Sequence, residues 1–326
     1  MVVEMKPIKI TVVMTTYNGS KYILQQLESI KMQTKLPNEV VILDDKSTDG
    51  TFELIKTFID SNNLTNWSIR RNSKNLGWKK NFYEAACLAT GDIIFYSDQD
   101  DVWLPNKIQK MTSIMTKNKI GVLFADKVFI NSEGSPCLDR MTKKNFSSKL
   151  KQIPFQKSFY SIKVQGCCMC VSRDVLNRYI KLGFSQGDHD SQCCRLALLY
   201  SSLWYLDEAL IKYRVHGNNA SGISAKRSFG TSTLNNRIES IENIKEWLCT
   251  LRDKGDKFEY EFDVNKCIEA LNYRIEYLQG NKKILFPFLL RYRDYYSDLT
   301  MLFGDFAYKH HVNDILGKIR WFIKKK

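Results

Sequence analysis

The chain has 326 residues, 44% hydrophobic and 26% charged, a balance that supports a sizeable core and excludes wholesale disorder. A formal net charge of +14 calls for acidic or phosphate-bearing partners, and nine cysteines, an odd number with no secretory-type leader in front of them, argue against a disulfide framework. No stretch approaches the roughly 18 apolar residues of a membrane-spanning helix, so a cytoplasmic protein is expected, at most peripheral on the inner face of the plasma membrane.

Residues 8–15 and 39–43 are β-branched apolar runs. Between them Ile23, Leu27 and Ile30 share one face of a predicted helix over 22–32, entered through Asn18-Gly19-Ser20. A second helix is predicted over 51–60, with Phe52, Ile55 and Ile59 aligned, then a strand over 67–71, a helix over 79–89 and a strand over 92–96. This alternation predicts an α/β fold with a mostly parallel central sheet flanked by helices. Such sheets bind ligands at the carboxyl ends of their strands. Beyond it, 122–131 reads as a strand-pair region, 164–172 as an apolar strand, 191–200 as a helix and 204–214 as a last extended stretch. From Leu234 the pattern turns helical: Ile238, Ile241, Ile244, Leu248 and Leu251 repeat with helical spacing, as do Val264, Ile268, Leu271, Ile275 and Leu278. A third helical segment over 285–306 is interrupted by Pro287 and Gly304. A boundary at 224–232 divides a domain over 1–225 from a helical region over 226–326.

Polar motifs fall at three of the predicted strand ends. The first strand runs into Thr15-Thr16-Tyr17-Asn18, the second into Asp44-Asp45-Lys46-Ser47-Thr48-Asp49-Gly50, and the fourth into YSDQDDVW at 96–103. There Asp98, Asp100 and Asp101 crowd into four positions. Clustered carboxylates repel one another and are costly to bury without a cation. They suit Mg²⁺ or Mn²⁺, hard ions that take carboxylate and phosphate oxygens; a solvated acidic turn is the alternative. Basic residues between 140 and 181 face a single acid, Asp174, and Lys318, Arg320, Lys324, Lys325 and Lys326 are interleaved with Ile319, Trp321, Phe322 and Ile323. Nucleic acid, anionic lipid and a diphosphate-bearing substrate all suit such patches, and the second pattern suits an interfacial membrane anchor, with a plain solvated helix end as an equal alternative. Cys167, Cys168 and Cys170, like Cys193 and Cys194, lack zinc-ribbon spacing and read as buried small hydrophobes.

The series TTYNGSKY, VVILDDKSTDGT, NLGWKKNF and TGDIIFYSDQDDVWLPNKI resembles the nucleotide-sugar half of a family-2 inverting glycosyltransferase with the GT-A fold. The later YRVHGNNASG resembles the end of the catalytic domain in its bacterial rhamnosyltransferase-like branch, so that the likeness spans residues 8–222 and leaves the tail uncovered. The resemblance implies a nucleotide-sugar half over about 1–110 and an acceptor half over about 111–225. It assigns Asp45 to the pyrimidine N3–H, with Asp44 bracing the loop, and Thr15 and Tyr17 to the base and ribose. Asn75 and Gly77 belong to a loop beside the nucleotide, where an ordinary turn is the alternative. Asp100 becomes the direct ligand of Mn²⁺ or Mg²⁺, Asp98 a contact to the ribose or a metal-bound water, and Asp101 a brace. His216 would complete the metal shell or touch the diphosphate, and Arg214 offers a phosphate fork. In Gly187-Asp188-His189-Asp190 the base that deprotonates the acceptor is Asp190, with Asp188 as runner-up; helix capping alone is the other reading. The implied activity is metal-dependent transfer, with inversion, of rhamnose from dTDP-rhamnose or of a hexose from a UDP-sugar. The acceptor would be a glycan or a lipid-linked glycan in bacterial surface polysaccharide synthesis. Alternatives are a nucleotidyltransferase, although residues 16–22 lack its Gly-rich basic loop, and an inactive nucleotide-sugar-binding scaffold. Nucleic acid is not expected as a partner, because it leaves the carboxylates unexplained. The helical region could pair two copies, pack on the catalytic domain or lie on a membrane.

Overall fold

The computed structural model describes residues 7–137, 145–156, 159–162, 164–184, 187–217, 234–254, 263–281, 291–295 and 305–306. The chain divides into two compact units, one of residues 1–154 and 163–225, the other of residues 155–162 and 226–326.

The first unit is built on a nine-stranded sheet. β1 (Ile10–Thr16), β2 (Glu39–Asp44), β3 (Trp67–Arg71) and β4 (Ile93–Ser97) pair in parallel in the order β3-β2-β1-β4. Every residue of β1 and β4 is buried, as expected of central strands covered on both faces. β3 lies at the edge and exposes Ser68, Arg70 and Arg71, charges that keep an open edge from pairing with another chain. The connecting helices are α1 (Ile23–Lys31), α2 (Thr51–Ser61) and α3 (Trp78–Leu88). Each bound lies within a few residues of the one predicted.

The sheet is parallel throughout over this half only. It continues through β8 (Met169–Ser172), β6 (Val122–Ile130), β9 (Leu203–Arg214) and β5 (Val102–Trp103), with β7 (Leu150–Gln152) also on β9. Of these contacts only β6 with β9 is parallel. The predicted strand pair over 122–131 is one long strand, β6, whose register shifts at Ala125, Asp126 and Val128 give it the look of two. The predicted strand over 164–172 opens with a 3-10 turn at Gly166–Cys168, and only its second half is extended. Two helices not predicted, α4 (Lys107–Asn118) and α5 (Arg173–Leu182), precede α6 (His189–Leu199).

In the second unit α7 (Leu234–Lys254) packs on α8 (Val264–Leu278). Asp305 is fully buried between Arg274 and Arg237, its oxygens 2.9 Å from Arg274 Nε and 2.6 Å from Arg237 Nε. Phe159 brings the 155–162 segment against Trp247, ring centres 6.1 Å apart. Of the third predicted helix, 285–306, the described residues form a 3-10 turn at Arg293–Tyr295. The predicted boundary at 224–232 lies outside the described residues.

Candidate active site

The carboxyl ends of β1, β2 and β4 open on a cleft of about 1440 Å³ in the first unit. Asp44 closes the end of β2 from within: it is fully buried and accepts from Thr16 Oγ1 (3.0 Å), Ser47 N (2.9 Å) and Ser47 Oγ (2.5 Å). Asp45 lines the cleft and organises the next loop. Its Oδ1 accepts from Leu76 N (2.7 Å) and Asn72 Nδ2 (2.8 Å), and its Oδ2 from Gly77 N (2.8 Å). An ionised carboxylate offers about four acceptor positions, so this loop leaves one of them for a donor in the cleft. Gly77 starts α3 at φ +79°, a conformation that side chains rarely adopt, and Asn75 Oδ1 shares its N–H at 3.0 Å. Tyr17 stands exposed on the rim. Gln99 holds it from both sides, accepting from Tyr17 N at 2.9 Å and donating to Tyr17 O at 3.0 Å.

The acidic motif follows β4. Asp98 and Asp100 face the cleft, whereas Asp101 is buried and accepts the Arg214 backbone N–H at 2.9 Å. Burial and the adjacent charge of Asp100 push Asp98 up to about 7, and burial followed by the Asp100 and Asp98 charges pushes Asp101 well above the ordinary carboxylate range. His216 Nε2 lies 2.7 Å from Asp100 Oδ2, and its ring packs 5.0 Å from that of Tyr22. A carboxylate and an imidazole that meet on an open cleft, beside carboxyl groups short of positive charge, are a donor set that fits a divalent cation. Arg214 differs from the sequence expectation. Its side chain is buried, does not line the cleft, and donates to Asp100 O (2.8 Å), Asn131 O and Ser132 O (3.2 Å each) and Gln25 Oε1 (2.6 Å). A guanidinium so engaged braces the acidic loop instead of presenting a fork to phosphate.

Across the cleft, α6 begins at Asp188, its N-cap residue, which forms an exposed ion pair with Lys79 at 3.2 Å. Asp190 sits in the first turn, where the helix dipole favours its charge. Its Oδ1 accepts from Ser191 N (2.6 Å) and its Oδ2 from Gly166 N (3.1 Å). Burial, then the charge of Asp188, still push its carboxyl up to about 6, which suits a group that must be ionised and basic at neutral pH. His189 between them is buried against the rings of Phe82 and Tyr96, 4.2 and 4.5 Å away, and burial lowers it to about 3, so it is neutral.

Thr15, Tyr17, Asp45, Asn75, Gly77, Asp98, Asp100, His216, Asp188 and Asp190 thus line one cleft, whereas Asp44, Asp101 and Arg214 are buried beside it. Gln99, Gly166 and His189 were not foreseen. Gln99 stands inside the acidic motif, but its bond to the first loop spans 82 residues of sequence, which no local pattern reveals.

A mixed sheet whose parallel half ends in acids around such a cleft is the arrangement expected of a glycosyltransferase of GT-A fold. The family model described as "Glycosyl transferase family 2" matches residues 11–180, more than half of the chain, and the chain belongs to that family. Among curated relatives, the dTDP-rhamnosyl transferase RfbG of Shigella flexneri is 27% identical over 220 residues, 64% of this chain and 73% of that protein. Residues 1–349 of Staphylococcus aureus TarS in complex with UDP-GlcNAc superpose with a TM-score of 0.58 at 17% identity, over 92% of this chain and 81% of that one. The mannosyltransferase PcManGT of Pyrobaculum calidifontis, in complex with GDP-Man and Mn²⁺, gives a TM-score of 0.50 at 16% identity, over 85% of this chain and 71% of that one. These two likenesses show the shared fold.

Proposed function

We propose that the chain transfers rhamnose from dTDP-rhamnose, with inversion, to a hydroxyl of a glycan or lipid-linked glycan in bacterial surface polysaccharide synthesis. One observation carries this reading: the raised carboxyl of Asp190 faces the same cleft as Asp45 and the Asp98–Asp100 acids. The pyrimidine N3–H donates to the acceptor position left on Asp45, and Thr15 and Tyr17 border the base and ribose. Asp190 takes the proton of the acceptor hydroxyl as its oxygen attacks the anomeric carbon. The new C–O bond forms while the bond to the diphosphate oxygen breaks, through an oxocarbenium-like state. A single attack from the opposite face inverts the configuration. Lys21 and Lys127 on the cleft wall supply positive charge toward the diphosphate. Asp100 and His216, with Asp98 at the ribose or a metal-bound water, would hold Mn²⁺ or Mg²⁺, which when bound adds positive charge against the leaving diphosphate.

The name of the RfbG relative supports the rhamnose donor, and the UDP-GlcNAc bound by TarS supports a pyrimidine nucleotide. Hydrolysis of a panel of nucleotide sugars, with and without Mn²⁺ or Mg²⁺, tests the reading. dTDP-rhamnose is expected to turn over in preference to UDP-glucose and only with metal; a UDP-hexose turned over better would replace the donor, and turnover of none would end the proposal.

A further inference from the structure

The wall that β6 and β9 give the cleft is aromatic and acidic. Phe124 and Tyr205 are register partners on these parallel strands, and their half-buried rings both line the cleft, 5.1 Å apart and tilted by 33°. A regular strand shows every second side chain to one face, yet Phe124, Ala125, Asp126 and Lys127 all line the cleft. The register breaks here: Ala125 pairs with Leu206 and Asp126 with Ala209, so β9 carries Asp207 and Glu208 as extra residues. Such an irregularity bends the strands and re-aims side chains. The Tyr205 hydroxyl lies between two carboxylates, 2.5 Å from Asp126 Oδ2 and 3.3 Å from Asp207 Oδ1, and Ser147 Oγ donates to Asp207 Oδ2. Among the described residues Asp126 Oδ1 accepts no hydrogen bond, so this carboxylate keeps acceptor positions for a ligand. Lys127, next in the strand, holds its ammonium over the rings of Phe129 and Tyr213, 5.6 and 5.8 Å from their centres. On its other side Phe124 pairs with Met169, which follows the Gly166–Cys168 turn, and Gly166 N donates to Asp190. The wall therefore adjoins the proposed base.

We propose that this wall seats a neutral pyranose ring of the acceptor, its apolar C–H face on Phe124 and Tyr205 and one of its hydroxyls donating to Asp126. A pyranose has a face of C–H bonds and a rim of hydroxyls. Aromatic carbon covers the first, and an ionised carboxylate takes an O–H bond more strongly than a neutral group does. Asp126 and Asp207 place negative charge on the wall, which disfavours an anionic open-chain acceptor such as an alditol phosphate. That the ring is the acceptor rests on the glycosyl-transfer reading, whereas its binding does not.

Saturation-transfer difference NMR of the full-length chain, with and without dTDP, tests it. The probes are the methyl glycosides of glucose, galactose, N-acetylglucosamine and rhamnose, and ribitol 5-phosphate. At least one glycoside is expected to receive saturation chiefly at the C–H protons of one ring face, and ribitol 5-phosphate none. Asp126→Asn is expected to raise the Kd of that glycoside by about tenfold or more. Phe124→Leu, which keeps an apolar side chain, is expected to raise it as well. In the wild type alone, no saturation of any glycoside, saturation spread evenly around the ring, or ribitol 5-phosphate binding as well as the glycosides would overturn the subsite. A Kd unmoved in either variant would do the same. Sugar-donor turnover, by which the proposed function is judged, enters none of these readings: turnover without glycoside binding removes the subsite alone, and glycoside binding without turnover removes the acceptor role and leaves a pyranose site.

Discussion

Asp190 is an ionisable group whose surroundings pull in opposite directions. The helix N-terminus and two backbone N–H groups favour its charge, yet burial and Asp188 outweigh them and leave its carboxyl at about 6 against 3.8 for a free aspartate. Two consequences follow at this residue. As the proposed base, it has to be ionised, so kcat/KM is expected to fall below about pH 6, and Asp190→Asn to lower kcat by about 10²- to 10⁴-fold. For stability, a folded pKa above the unfolded one means that the carboxyl's contribution is fully present below pH 4 and lost as pH rises through 6. Burying the ionised form at neutral pH then costs up to about 3 kcal/mol. Asp190→Asn is therefore expected to melt higher than the wild type at pH 7.5 and to lose that advantage by about pH 4. Thermal melts at the two pH values measure this, and an asparagine variant less stable at pH 7.5 would contradict the charge burial. Asp190 could be singled out in the sequence because the resemblance sets the acceptor-side acid at a helix start, within Gly187-Asp188-His189-Asp190. Arg214 was misread for a related reason: its local sequence shows a cation beside a histidine, whereas its partners Gln25, Asp100, Asn131 and Ser132 come from distant parts of the chain.

The elements of the parallel half announced themselves, whereas several of the later ones did not. β1 to β4 and α1 to α3 carry the alternation of apolar runs and helical faces, so their order and type could be read directly. α4 escaped because Lys107 occupies a fully buried position in its apolar stripe; β5, with two residues, and β7, with three, are too short to show a period. The 3-10 turn Gly166–Cys168 was read as strand, since its cysteines are as buried as strand residues. That turn has a consequence for catalysis. A Cβ on Gly166 would stand 2.3 Å from His189 Nε2, and the His189 ring cannot retreat past Phe82 and Tyr96. The turn would have to shift, drawing its N–H away from Asp190 Oδ2. Gly166→Ala is thus expected to lower kcat by about 10- to 100-fold while the KM for the sugar donor, which on the proposed reading binds on the opposite wall, changes little. Steady-state kinetics with the donor varied separate the two. A KM effect without a kcat effect would show that the turn serves donor binding and not the base.

For the whole molecule the open quantity is charge. The sheet unit holds the cleft and most of the net +14, and the helical region carries the rest. Five of the excess cations, Lys318, Arg320, Lys324, Lys325 and Lys326, alternate with Ile319, Trp321, Phe322 and Ile323. Apolar side chains that insert at a headgroup boundary, next to cations that attract anionic lipid, form an interfacial anchor. No helix among the described residues is long and apolar enough to cross a membrane. Each basic residue near an anionic surface contributes about 1 kcal/mol, less as salt screens it. The full chain is therefore expected to float with vesicles containing phosphatidylglycerol and far less with neutral ones. Deleting residues 318–326 should lower partition onto the anionic vesicles by about tenfold or more at low salt, leaving nucleotide-sugar hydrolysis unchanged. Equal flotation with neutral and anionic vesicles, or no change on deletion, would remove the membrane from the account and return the positive charge to the substrate.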